Sequence, residues 1–144
     1  MSSSSCGADR PARRLLVAAF DLLGAEARVH HGLLCAVLET LPVDLHVGPE
    51  RLRPRVHAAR LIVVEPDGPA RVTVRTDLAT VDALLDARRT VLDAVTRGEL
   101  FVRGAADALD AAAEAFSICL HGLVRCRSGP ALLDDLRRHV SNPR

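Results

Sequence analysis

Hydrophobic positions change their period several times along the chain, and each change marks an element. From Pro11 to Ala27, the residues Leu15, Ala19, Leu22, Leu23 and Ala27 keep to one side of a helix. Leu33, Leu34, Val37, Leu38 and Leu41 form a second amphipathic stretch, and Pro42 closes it. The period then shortens to two. Val43, Leu45 and Val47 alternate with Asp44 and His46, which predicts a half-buried strand. Gly48 to Arg55 holds two prolines and three arginines and reads as a loop. Leu61-Ile62-Val63-Val64 and Val72-Thr73-Val74 are β-rich runs. Pro66-Asp67-Gly68-Pro69 between them predicts a hairpin, because proline presets φ and glycine accepts the positive φ of a tight turn.

Helical spacing returns with Leu78, Val81, Leu84 and Leu85, for which Thr76 or Asp77 is the N-cap. A short helix with Val91, Leu92 and Val95 ends near Gly98, and Leu100-Phe101-Val102 is one more strand. Gly104 opens a long helix to about Arg125. Gly129-Pro130 breaks the chain before a last helix with Leu132, Leu133, Leu136 and Val140. This order predicts an α+β domain whose sheet is antiparallel in its hairpin part and covered on one face. At 144 residues, one domain over residues 10–144 is the natural count, preceded by a leader of residues 1–9 in which Ser2 to Ser5 are expected to be disordered.

Composition narrows the function classes. The chain is 49% hydrophobic, enough for a core without staples, and its formal net charge is +1, which argues against a dedicated nucleic-acid binder. Three Phe with no Trp or Tyr leave few platforms for stacking bases. All 19 basic residues are arginine, so lysine Schiff-base chemistry is excluded. Cys6, Cys35, Cys119 and Cys126 are scattered, with no ligand spacing, so neither a metal site nor a cofactor is expected. Reduced thiols in the cytoplasm are the default for such a chain. The run Leu15 to Phe20 behind three arginines is interrupted by Asp21, and no apolar stretch reaches the length of a membrane span, so stable membrane insertion is not expected.

Between Ala59 and Cys126 the chain resembles the sterol-carrier-protein type-2 family. The resembling pieces are the strand Arg60 to Val64 with its turn at Pro66-Asp67-Gly68, the strand Val72 to Thr76 ending in Thr76-Asp77, and the helices Leu78–Asp86 and Val91–Val95. Arg97-Gly98-Glu99-Leu100-Phe101-Val102-Arg103-Gly104 is similar to the family's strand signature, a glycine on either side of alternating residues. Ala87 stands where a helix-ending glycine is common. The resemblance implies a five-stranded, mainly antiparallel sheet covered by helices, with an apolar tunnel or cavity between them.

On that reading Leu33, Val37, Leu41, Ile62, Val64, Val72, Val74, Leu84, Leu85, Phe101, Phe116 and Leu120 are candidates for the wall of the cavity, with ordinary core packing as the alternative at each. The small residues Ala108, Ala111, Ala112, Ala113 and Ala115 thin the inner side of the long helix. The expected function is binding, and transfer, of a hydrophobic small molecule such as a lipid, sterol, polyprenyl or polyketide-type intermediate. The alternative is a small cofactor-free enzyme or cyclase in the same cavity, with Asp44, His46, His57 or Glu65 moving protons. A second copy of the chain or an enzyme of the same pathway stays open as a partner. Arg51, Arg53, Arg55 and Arg60, with His57, read as a basic loop that either holds an anionic group or is merely solvated. Ser117 and His121 share a polar stripe with Asp107, Asp110, Glu114 and Arg125, which reads as a solvated helix face and not as a nucleophile and base.

Overall fold

A computed structural model describes residues 10–141. Along the chain run α1 (Pro11–Glu26), α2 (Arg28–Leu38), β1 (Val43–Val47), β2 (Glu50–His57), β3 (Arg60–Val64) and β4 (Val72–Thr76). Then follow α3 (Leu78–Leu85), α4 (Val91–Thr96), β5 (Phe101–Gly104), α5 (Ala106–Arg125) and α6 (Gly129–Ser141). The strands form one five-stranded sheet in the order β3-β2-β1-β4-β5. Three of its ladders are antiparallel, and β1–β4 is parallel. The α+β class and the helix-covered, mainly antiparallel sheet are therefore as expected. The leader of residues 1–9, with Cys6, lies outside the described residues.

Two expectations are corrected. The stretch read as a loop from Gly48 is strand β2, flanked by β1 and β3. Its alternation was present but inverted in character: Leu52, Pro54 and Val56 form one side, and arginines form the other. Proline is tolerated there because β1 pairing ends at Leu52, so the strand beyond is paired on one side only. Secondly, β3 and β4 are not a hairpin. The newly found strand takes β3 as its partner, and β4 crosses to lie parallel beside β1.

The registers divide the sheet into two faces. Leu45 stands opposite both Leu52 and Val74, Val43 opposite Val72, and Val74 opposite Val102. Directly opposed residues share a face, and this one is covered by α1, α2 and α5. Phe20 and Leu23 of α1, Leu34 and Leu38 of α2, and Ala108 and Ala115 of α5 meet Val43, Leu52, Leu61, Val63 and Val72 in one core. The helices approach closely at Gly122, where a Cβ would stand 2.6 Å from a Leu23 methyl and 2.8 Å from the His30 Cβ. At Gly104, which ends β5, a Cβ would meet the Arg71 carbonyl oxygen at 2.7 Å. That close approach is the physical reason for a glycine at position 104.

Polar side chains fasten the layers. Glu50, buried at the start of β2, accepts hydrogen bonds from the Ala12 and Arg13 backbone N–H groups at 2.8 and 3.0 Å. It thereby caps α1, whose own N-cap residue Arg10 makes no side-chain cap. Arg53 donates to Asp44 at 2.7 Å and to the carbonyls of Asp67 and Gly68, pinning the β3–β4 connection to the sheet. Arg88 and Arg137 join Asp82 and Asp86, tying α3 to α6.

Candidate functional site

At one end of the sheet, α2 and the β2–β3 hairpin flank an open surface cleft of about 420 Å³. Gly32, Cys35, Ala36 and Glu39 border it from α2, and Val56, Ala58 and Ala59 from the hairpin. Spacings of three and four residues put the α2 members on one helix face. None of the first three carries more than a small side chain, so the helix cannot fill the gap. On the other wall, Ala58 and Ala59 form the two-residue turn with φ of 51° and 61°. A positive φ at both central positions matches the twist of a tight hairpin, although alanine pays for it sterically.

The cleft is mainly apolar. The Cys35 thiol lies 4.0 Å from the Ala59 carbonyl and 3.8 Å from His31 Nδ1. Burial, and after it the neighbouring Glu39 carboxylate, pushes this thiol up from its ordinary range, so it presents a neutral sulfur at neutral pH. Glu39 is exposed and is the one charged residue of the lining. It gives the cleft a polar edge.

The residues proposed from the sequence as a cavity wall fall into separate groups. Leu41 and Val72 are buried, and Val37 and Val74 pack partly buried against the same core. Leu84, Leu85 and Leu120 are half-buried, while Leu33 and Phe116 are exposed on the helices. Ile62, Val64 and Phe101 belong to the opposite sheet face, because Ile62 stands across from Arg55, Val64 from Arg53, and Phe101 from Arg75. They cannot share a space with Val72 and Val74. The run Leu61 to Val64 is apolar throughout and gives no phase of its own; the pairing of Leu61 with Val56 and of Val63 with Pro54 sets it. Sequence reasoning also passed over Gly32, Cys35 and Ala36. Their only signal was small size on one helix face.

Nor do the four acid–base candidates converge. Asp44 is engaged by Arg53, and Glu65 by Arg10 at 2.7 Å. The hydrogen bond from Arg10 holds the Glu65 carboxyl below the usual range. His46 and His57 both point to the open face, but His57 stands six residues along β2 from the residue opposite His46, a separation of roughly 20 Å. Ser117 and His121 are exposed on α5. Among the described residues, no group of three or more His, Cys, Asp or Glu side chains is placed to hold a metal ion, and no helix is long and apolar enough to cross a membrane.

Comparison with protein-family models and with curated proteins returns no match. Among solved structures, the chain is similar to the ubiquinone synthesis protein UbiJ-SCP2, with 16% identity and a TM-score of 0.49, covering 63% of this chain and 74% of that one. Sterol carrier protein 2 from Yarrowia lipolytica is similar at 14% identity and a TM-score of 0.47, over 72% of this chain and 84% of its own. A stereoselective inverting sec-alkylsulfatase from Pseudomonas sp. is similar at 14% identity and a TM-score of 0.46 over 58% of this chain, which spans only 14% of that enzyme. Each of these likenesses covers only part of the chain, at identities below 25% and TM-scores below 0.5.

Proposed function

We propose that the chain binds a hydrophobic small molecule in the cleft between α2 and the β2–β3 hairpin, with the apolar part of the ligand directed between the helix layer and the sheet. The observation that carries this reading is the cleft itself: about 420 Å³, bordered by small apolar side chains and a neutral thiol. Small-molecule sites are commonly about 300–1,000 Å³ and mostly apolar, with few polar groups. Glu39 at the edge would orient a hydroxyl or amide of the ligand, and would disfavour a carboxylate there. An acyl, sterol, polyprenyl or polyketide-type chain fits these demands.

The driving force is burial. Each methylene withdrawn from water contributes about 0.8 kcal/mol, so eight of them give about 6 kcal/mol before the cost of immobilising the ligand. Micromolar or weaker affinity is the expectation, which suits a carrier that must also release. The carrier reading takes the protein as cytoplasmic, with Cys35, Cys119 and Cys126 reduced, as they are free thiols here.

A neutral fluorescent acyl probe tests this directly. Ala36→Trp should fill the cleft and weaken probe binding at least about tenfold, while Asp44→Asn and His46→Ala on the other face leave it unchanged. Equal binding by Ala36→Trp, with its circular dichroism intact, would sink the assignment.

A further inference from the structure

The sheet face turned away from the helices is unusually basic. Arg51, Arg53, Arg55, Arg60, Arg75 and Arg103 occupy its register positions, and Asp44 is the carboxylate among them. That carboxylate is taken by Arg53. Arg51 and Arg75 are both exposed, and neither forms an ion pair with any described residue.

These two arginines are not scattered. His46 stands opposite Arg51 in the β1–β2 ladder and opposite Arg75 in the β1–β4 ladder. The three therefore form a row across adjacent strands, with the arginine Cα atoms about 10 Å apart and His46 between them. With Gly48 and Thr76 they line an open depression of about 470 Å³. Phe101, half-exposed, continues the row directly beside Arg75.

We propose that this depression binds the phosphate group of a small organic phosphomonoester, held between Arg51 and Arg75 over His46, with Phe101 supporting the apolar remainder of the molecule. The chemistry favours phosphate over carboxylate. One guanidinium satisfies a planar carboxylate with a bidentate pair, whereas two that approach from opposite sides match the several oxygens of a tetrahedral dianion. The positive charges of Arg55, Arg60 and Arg103 draw such an anion to this face. The site is independent of the apolar cleft, which lies on the helix-covered side.

The test titrates isotope-labelled full-length protein with inorganic phosphate and with phenyl phosphate, following backbone amide shifts. Shifts should centre on His46, Arg51 and Arg75, with phenyl phosphate binding the tighter. The double variant Arg51→Gln, Arg75→Gln should weaken both ligands at least about tenfold. Phe101→Ala should weaken only phenyl phosphate, and Arg28→Gln on α2 should change neither. Retained binding in the double variant, or shifts spread over all surface arginines, would overturn the site. A response to phosphatidic-acid vesicles with none to either soluble phosphate would overturn it as well, in favour of a membrane contact.

Discussion

Glu50 offers a sharp test of how this fold is held together, because one side chain of β2 does the work of an N-cap for a helix 38 residues earlier. Its carboxylate is buried and accepts from the Ala12 and Arg13 N–H groups at 2.8 and 3.0 Å, at the positive end of the α1 dipole. Glu50→Ala removes both acceptors at once. Loss of a helix cap costs typically about 1 kcal/mol, and leaving a buried donor unsatisfied costs about 1–3 kcal/mol. Some water will reach Arg13, which is less buried than Ala12, so we expect a loss of about 2–4 kcal/mol. For a chain of this size that lowers Tm by roughly 6–12 °C. Glu50→Gln keeps one oxygen and should lose about half as much. Urea unfolding followed by circular dichroism at the helix band is the assay. A Glu50→Ala loss within about 0.5 kcal/mol, the range of an ordinary surface change, would show that the bonds to α1 are not formed.

Other consequences are read from single positions. Ala87, just past the end of α3, has φ of 58°, and Ala58 and Ala59 are left-handed too. Ala87→Gly should therefore raise stability by about 0.5–1 kcal/mol, and the pair Ala58→Asn, Ala59→Gly by about 1–2 kcal/mol, both seen as higher urea midpoints. Gly122→Val should cost about 3 kcal/mol or more, since even its Cβ would meet Leu23 and His30 below normal contact distance. Burial, and after it Cys126, pushes the Cys119 thiol up to about 11 from 9.0. Its alkylation should stay slow at pH 8 and accelerate only towards pH 11. Because the folded state holds that proton more tightly than the unfolded chain, the associated stability is intact below pH 9 and is lost as pH rises towards 11. Rapid alkylation of Cys119 at neutral pH would contradict a thiol held in its protonated form.

The sequence disclosed the helices better than the sheet. Asp77 caps α3 through the Thr80 N–H at 2.8 Å, and Gly98 takes a left-handed φ of 75°, both as their residue types suggested. Ala87 shows a left-handed helix end that persists without the usual glycine. Strand β2 was hidden because its exposed side is arginine and its inner side includes Pro54, so alternation of charge looked like a loop. With β2 unseen, β3 and β4 had no other partners and appeared to pair. The same gap leaves Ile62 and Val64 without a face, because an all-apolar run carries no phase until its neighbour sets the register. The cleft itself was illegible for a simpler reason. It is made by what Gly32, Ala36 and Ala58 lack, and small residues have the same signature in a tight helix contact such as Gly122.

The central claim is that the cleft beside α2 shelters an apolar molecule, and non-denaturing mass spectrometry of freshly purified protein tests it most directly. The account predicts a discrete added mass of lipid size, recovered by organic extraction and absent from Ala36→Trp. A chain that arrives empty, and that then takes up no neutral acyl ester, sterol or quinone offered to it, would contradict the account.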